Sequence, residues 1–308
     1  SDFTKLPLDE MSNLHVHWFG PNGAIMKPEP DDAEADPNYN VYEIVEVISP
    51  TQLRINPPAV ATRGSSYSIG RRCYGKFSVS NCDFFLVDTR TDRQLHNVNT
   101  PAKPGLQMLG EHQEEWLTES MKSSDADFFF VVSSVNFMVP HVGTGGEIDN
   151  NAGDYGKDDA WTVFLDQRER LIEFWDALDK PVFVLTGDLH NSFAIKITDN
   201  VYEFASGPHN SVNHAPEADE GGRPANGKFK YGPRECEIKW STYVLEDIPR
   251  LNRLFPHYCV VQVNNVFNNP LELDGDDRWV AFPKPHVIFR YYDGRTGEFK
   301  YAETIHAR

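Results

Sequence analysis

Val41-Tyr42-Glu43-Ile44-Val45-Glu46-Val47-Ile48 interleaves apolar and polar positions, breaks at Ser49-Pro50-Thr51, and resumes as Gln52-Leu53-Arg54-Ile55. Side chains two apart on a strand share a face, so this pattern predicts a β-hairpin with one face turned inward. Ahead of it, Pro28 to Pro37 is acidic and proline-rich and reads as exposed loop. Residues 1–70 are therefore expected to form a β-rich N-terminal segment or lobe.

From Tyr74 onward strands and helices alternate. Asp83-Phe84-Phe85-Leu86-Val87-Asp88 reads as a strand, and Phe128-Phe129-Phe130-Val131-Val132 as one too apolar to face water. Glu111 to Lys122 is predicted helical, with Trp116, Leu117 and Met121 on one side. Asp166 to Leu178 is predicted helical with Leu171, Phe174, Trp175 and Leu178 as its inner stripe. The next strand is Pro181-Val182-Phe183-Val184-Leu185, followed by short strands at 192–197 and 201–205. A Gly/Pro-rich loop is expected around 206–235, then antiparallel strands at 257–264 and 286–293 and a tight turn at Asp293-Gly294-Arg295-Thr296-Gly297. No internal repeat is visible. The fold class is α/β, with mixed β-sheets flanked by helices over residues 71–308.

Charge narrows the partners. The chain carries 46 acidic against 29 basic residues, a formal net charge of −17. That argues against unaided binding to nucleic acid or an anionic membrane, both of which require clustered positive charge. No run reaches the roughly 18 apolar residues of a membrane span, and no signal peptide is legible. Cys73, Cys82, Cys236 and Cys259 show no CxxC spacing, which disfavours a zinc ribbon and leaves disulfide pairing open.

The strand at 182–186 runs into Gly187-Asp188-Leu189-His190, which sets a carboxylate and an imidazole one residue apart where α/β sheets commonly bind ligands. A strand ending in a polar turn looks the same. With an extended backbone, Asp188 and His190 would point the same way. Asp88-Thr89-Arg90 places an acid and a cation at another strand end, as a site or as a loop-structuring pair. Asn136 follows the 128–132 strand, as an amide facing the site or a loop cap. The glycine-rich loop 143–161 carries Glu147, Asp149, Asp154, Asp158 and Asp159, oxygen donors suited to a hard cation or to a solvated surface. Asp274-Gly275-Asp276-Asp277 reads as a surface turn. Arg168 and Arg170 open a helix and meet either a phosphate or their glutamate neighbours. His209 and His214 flank a polar segment of the kind that lines sites. His15 and His17 share a strand face, with no third ligand in view.

Taken in order, several segments resemble the C-terminal portion of the PhoD-like alkaline phosphatases, a branch of the calcineurin-type metallophosphoesterases. Tyr74-Gly75-Lys76-Phe77 with Asp83 to Arg90 resembles that family's "YxxF…FFxLDxR". Leu109-Gly110-Glu111-His112-Gln113-Glu114-Glu115-Trp116-Leu117 is similar to its "LGxxQxxWL" helix start. Asp159-Ala160-Trp161 followed by Arg168 or Arg170 resembles "DxW…ER", Gly187 to His190 resembles "GDxH", and Glu203-Phe204 the strand after it.

The resemblance implies a metallophosphoesterase-like sandwich and a two-metal site that hydrolyses phosphate esters. Asp188 and His190 would each hold a metal, drawn from calcium, iron, manganese or zinc, and metal-bound water would attack phosphorus. Arg90 or Arg170 would steady the phosphoryl oxygens, with Asn136, Asp159 and His209 lining the site. The family's other ligands lie upstream, on a first strand's Cys or Asp, a "GD…Y" turn and a "DDH" or "NDH" turn. Nothing before Tyr74 resembles them, so the expected partner beside the phosphate ester is an upstream fragment of the same protein. The resemblance also implies an extracytoplasmic location, periplasmic or secreted. Two alternatives stand beside this reading: a non-catalytic accessory domain that keeps the fold, and a calcium-binding interaction module.

Overall fold

The alternation at residues 41–55 becomes a hairpin in the computed structural model, which describes residues 2–8, 12–19, 25–26, 36–94, 105–141, 148–149, 153–154, 160–265, 272–273, 276–277 and 284–308. Strands β1 (Ser12–Phe19), β2 (Ile25–Met26), β3 (Asn40–Ser49), β4 (Gln52–Asn56) and β5 (Ser66–Arg71) form one antiparallel sheet. β1 lies at its centre, with His15 opposite Val41 on β3 and Ser68 on β5. The His15 ring lies against bare backbone: a Cβ at Gly70 would sit 2.7 Å from its Nε2.

The larger sheet comprises β6 (Gly75–Val79), β7 (Cys82–Leu86), β8 (Phe128–Val132), β11 (Val182–Thr186), β12 (Phe193–Lys196), β13 (Val201–Ala205), β14 (Gly227–Tyr231) and β15 (Arg234–Ser241). Two-residue pairs at Ile148–Asp149 (β9) with Gly153–Asp154 (β10) stand apart from it. Its order is β14-β15-β12-β13-β11-β8-β7-β6. The central β7, β8, β11 and β13 are mutually parallel, and the outer strands join antiparallel. Parallel neighbours need long crossovers. Helices α1 (Gly110–Lys122) and α2 (Leu165–Ala177) lie in two of these. A one-turn helix, α3 (Pro216–Asp219), follows later.

Side chains alternate across the strands and divide the interior in two. Phe85, Phe129, Val131, Val182 and Val184 pack with Leu117 and Met121 of α1 and Leu171, Ile172 and Trp175 of α2. Phe84, Phe128, Phe130, Phe183 and Phe204 face the other way. They meet a second sheet, ordered β16 (His257–Asn264), β19 (His286–Asp293), β20 (Phe299–His306), through Phe289 and Tyr291. Between β16 and β19 lies the short pair β17 (Glu272–Leu273) and β18 (Asp276–Asp277). Both long helices serve one core, and strands close the other. The molecule is thus sheet-rich with mixed sheets, as expected, and its two long helices flank the large sheet on one face.

One expectation is overturned. Part of the loop expected around 206–235 is β14 and the start of β15. Phe229, Tyr231, Cys236 and Ile238 are buried while Lys228, Lys230, Glu235 and Glu237 are exposed, a two-residue period obscured by flanking glycines and dense charge. The four cysteines are unpaired.

Candidate functional site

Parallel strands deliver their C-terminal ends to one edge. Backbone bonds prolong the register past the strands: Val87 N–H donates to Val132 O at 3.0 Å and Ser133 N–H to Leu185 O at 2.9 Å. Beyond β11 the chain breaks from extended form. Asp188 has φ +63°, the left-handed region that Asp tolerates better than most residues. Leu189 N–H then reaches back to Gly187 O at 2.7 Å, and the Leu189 side chain is buried in the helix-covered core. The chain is therefore not extended through Asp188 and His190 but makes a tight turn pinned by Leu189.

Three imidazoles gather around this turn. His141 Nδ1 lies 3.5 Å from Asp188 Oδ2. The His190 and His214 rings stack with centroids 4.3 Å apart and planes 26° apart, and His141 lies 4.9 Å from His214. Ser211 Oγ is 3.4 Å from His190 Nδ1. Burial, then the neighbouring His214, lowers the pKa of His190, which favours the neutral imidazole. Among the described residues, the buried Nδ1 atoms of His141 and His214 have no hydrogen-bond partner, nor has either amide atom of Asn136. Asp188 keeps 30% of its side chain exposed, so solvent reaches the cluster.

Two buried carboxylates brace the edge. Glu203 on β13 accepts from Phe137 N–H at 2.7 Å, Met138 N–H at 2.8 Å and Thr186 Oγ1 at 3.0 Å. It thereby ties the segment leading to His141 to the strand leading to Asp188. Burial pushes its pKa up to about 7, against the pull of those three donors. Glu220 is also fully buried. Burial, the largest single influence, would raise it, but Arg223, with Nε 2.5 Å from Oε2, together with His214 and Asn191 outweighs that and brings it down to about 2.

The residues singled out from sequence fall in different places. Asp188 and His190 share the turn, and buried Asn136 follows the neighbouring β8. Asp88 caps its own loop, accepting from the backbone N–H of Arg90 at 2.8 Å and Thr91 at 3.1 Å, and Arg90 is exposed beyond β7. Arg168 is buried, donating to Glu169 and to Tyr231 O. Arg170 lies on α2 and pairs with Glu114 of α1 at 3.0 Å. His209 is exposed, five residues before the histidine that stacks on His190. His15 and His17 belong to the N-terminal sheet, where His17 Nε2 is 2.8 Å from Ser68 Oγ. Asp159, Glu147, Asp158 and Asp274 lie outside the described residues.

Since Arg170 is committed to an exposed pair worth little, Arg170→Ala is expected to lower stability by less than about 1 kcal/mol. Urea unfolding checks this, and a much larger loss would mean that the pair is not the solvent-screened contact seen here.

His141 is not among the residues that the sequence pattern singles out, whereas His214 belongs to the polar segment read as site-lining. The available signal for His141 was the apolar run Val135 to Pro140, which carries the chain out of β8 before any titratable group appears. For His214 the polar segment is the local signal, and only the fold shows that its loop comes to this turn.

Carboxylate and imidazole groups at the carboxyl ends of parallel strands define a sheet-edge site of the kind that binds ligands in mixed α/β proteins. The family model described as PhoD-like phosphatase matches residues 58–240, more than half of the chain, and the chain belongs to that family. It is 31% identical over 131 residues to "Alkaline phosphatase D" of Bacillus subtilis (strain 168), a match covering 39% of this chain and 21% of that protein. It is also similar to a solved structure titled "Structure of PhoD", with TM-score 0.41 and 20% identity, over 78% of this chain and 45% of that one. The chain thus spans about a fifth of the length of its curated relative.

Proposed function

We propose that this chain forms part of a metal-dependent phosphoester hydrolase. The reading rests on one observation: Asp188, His190, His141 and His214 converge at the carboxyl edge of the parallel strands. The donors suit a metal in kind. A partly exposed carboxylate and an imidazole biased toward its neutral form, with two further imidazoles beside them, are the groups that divalent ions take. They do not close a site alone, since among the described residues no three His, Cys, Asp or Glu side chains are arranged to hold one ion.

In this proposal Asp188 and His190 hold the metal, with His141 and His214 at their sides. Further donors come from polypeptide that supplements this chain. A bound divalent ion would supply Lewis acidity, making its water more acidic and offsetting phosphoryl charge. The protein's own part is to hold Asp188 beside His141, to present His190 in a form able to donate its lone pair, and to fix both on the buried Leu189. The substrate class is phosphate monoesters or diesters, and the proposed location is extracytoplasmic. No helix among the described residues is long and apolar enough to cross a membrane.

The incomplete donor set favours a second reading, an accessory domain that keeps the fold without catalysis. Dialysed protein combined with the upstream polypeptide and assayed with p-nitrophenyl phosphate, with calcium, manganese, iron or zinc added back, separates the two. Hydrolysis restored by one metal and removed by a chelator is expected. Silence of a folded protein under every metal would favour the accessory domain.

A further inference from the structure

Behind His214 stands a largely buried polar network. Glu220 and Arg223 are both fully buried and paired at 2.5 Å. Arg223 is held further by Ser241 Oγ at 2.9 Å, Thr242 O at 3.1 Å and Pro224 O at 3.2 Å. Asn191, the residue after His190, donates its amide both to Glu220 Oε1 at 2.8 Å and to the His214 carbonyl at 3.2 Å. Its own oxygen accepts from Asn213 Nδ2 at 3.0 Å and Thr242 Oγ1 at 3.3 Å. The network therefore links the turn carrying His190 to the loop carrying His214.

His214 presents its Nδ1 to this network, 3.7 Å from Glu220 Oε1. That is longer than a hydrogen bond, and among the described residues this buried nitrogen has no hydrogen-bond partner. Each carboxylate oxygen accepts about two donors. The described bonds give Oε1 one, from Asn191, and Oε2 one, from Arg223. A ring nitrogen facing a paired carboxylate is favoured as N–H and opposed as a lone pair, because like-signed electron density would then meet in a buried setting.

We infer that Glu220, clamped by Arg223, is a positioning residue for His214: it fixes the Nδ1–H tautomer and so leaves Nε2 as the nitrogen with the lone pair. The inference rests on the proposed function only in giving that lone pair a use. Carboxylate–imidazole pairs of this kind orient metal-binding rings elsewhere.

Long-range 1H–15N correlation of metal-free protein with 15N-labelled histidine, recorded at alkaline pH, reads the tautomer directly. The signals of His214, identified by their loss in His214→Gln, are expected to show a pyrrole-type Nδ1 and a pyridine-type Nε2. The opposite assignment in the wild type overturns the inference. In Glu220→Gln the preference is expected to weaken, and manganese affinity measured by calorimetry to fall about ten-fold or more. An unchanged tautomer in that folded variant would overturn it too. Should the unpaired Arg223 unfold the single variant, Glu220→Gln with Arg223→Met removes the buried charge and carries the same measurement. Wild-type protein with the expected tautomer that, combined with the upstream polypeptide, neither binds calcium, manganese, iron or zinc nor hydrolyses the ester would leave this inference standing and refute the proposed function.

Discussion

Asp188→Asn is expected to lower kcat/KM for p-nitrophenyl phosphate on the order of 10²–10³-fold while the melting temperature stays nearly constant. The amide matches the carboxylate in shape and, like it, tolerates the left-handed φ of +63° at this position. What disappears is the negative charge that in the proposed site holds a cation, a contribution of several kcal/mol to a metal-assisted barrier. Alanine would be the poorer test, because a left-handed alanine adds roughly 1–2 kcal/mol of backbone strain. Retention of full activity by the asparagine variant would remove Asp188 from the site.

The second large effect concerns stability and pH. Burial raises Glu203 from an ordinary 4.5 to about 7. Between those values the folded state binds more protons than the unfolded one, so stability falls as pH rises. The favourable contribution is whole below pH 4.5 and lost by the time pH passes 7. At 1.36 kcal/mol per unit, the span amounts to roughly 3 kcal/mol. Glu220, brought down to about 2, works in the opposite sense, with stability present above 4.5 and lost toward pH 2. The two windows are separate. Urea midpoints at pH 5 and pH 8 are therefore expected to differ between wild type and Glu203→Gln by roughly this amount, with the wild type relatively stronger at pH 5. Parallel behaviour of the two proteins would show that Glu203 does not titrate in this range.

How far the sequence revealed this molecule depended on whether a local pattern carried the information. The strand Phe128–Val132 and the helices at 110–122 and 165–177 were legible because burial imposes a period on neighbouring residues. The hairpin of β14 and β15 escaped because its inward Phe229, Tyr231, Cys236 and Ile238 alternate with lysine and glutamate beside glycine and proline. At the site, Gly187 to His190 was visible as a motif, yet the sharp turn at Asp188 is a backbone angle that no residue pattern fixes. His141 and His214 approach that turn from 47 and 26 residues away in numbering, counting from Asp188 (188 − 141 and 214 − 188). Tertiary structure alone could assemble them.

The two covers of the large sheet also arrive at different times. α1 and α2 lie between its own strands, so the face they protect closes as the sheet forms. The opposite face, with Phe128, Phe130, Phe183 and Phe204, waits for β19 and β20, which come after the last strand of the large sheet ends at Ser241. Because a chain leaves the ribosome N-terminus first, this row of rings emerges ahead of its cover, and pairing distant parallel strands is itself slow. The interval before Phe289 and Tyr291 dock is the nascent chain's point of greatest aggregation hazard, and the stage at which a holding chaperone would matter most.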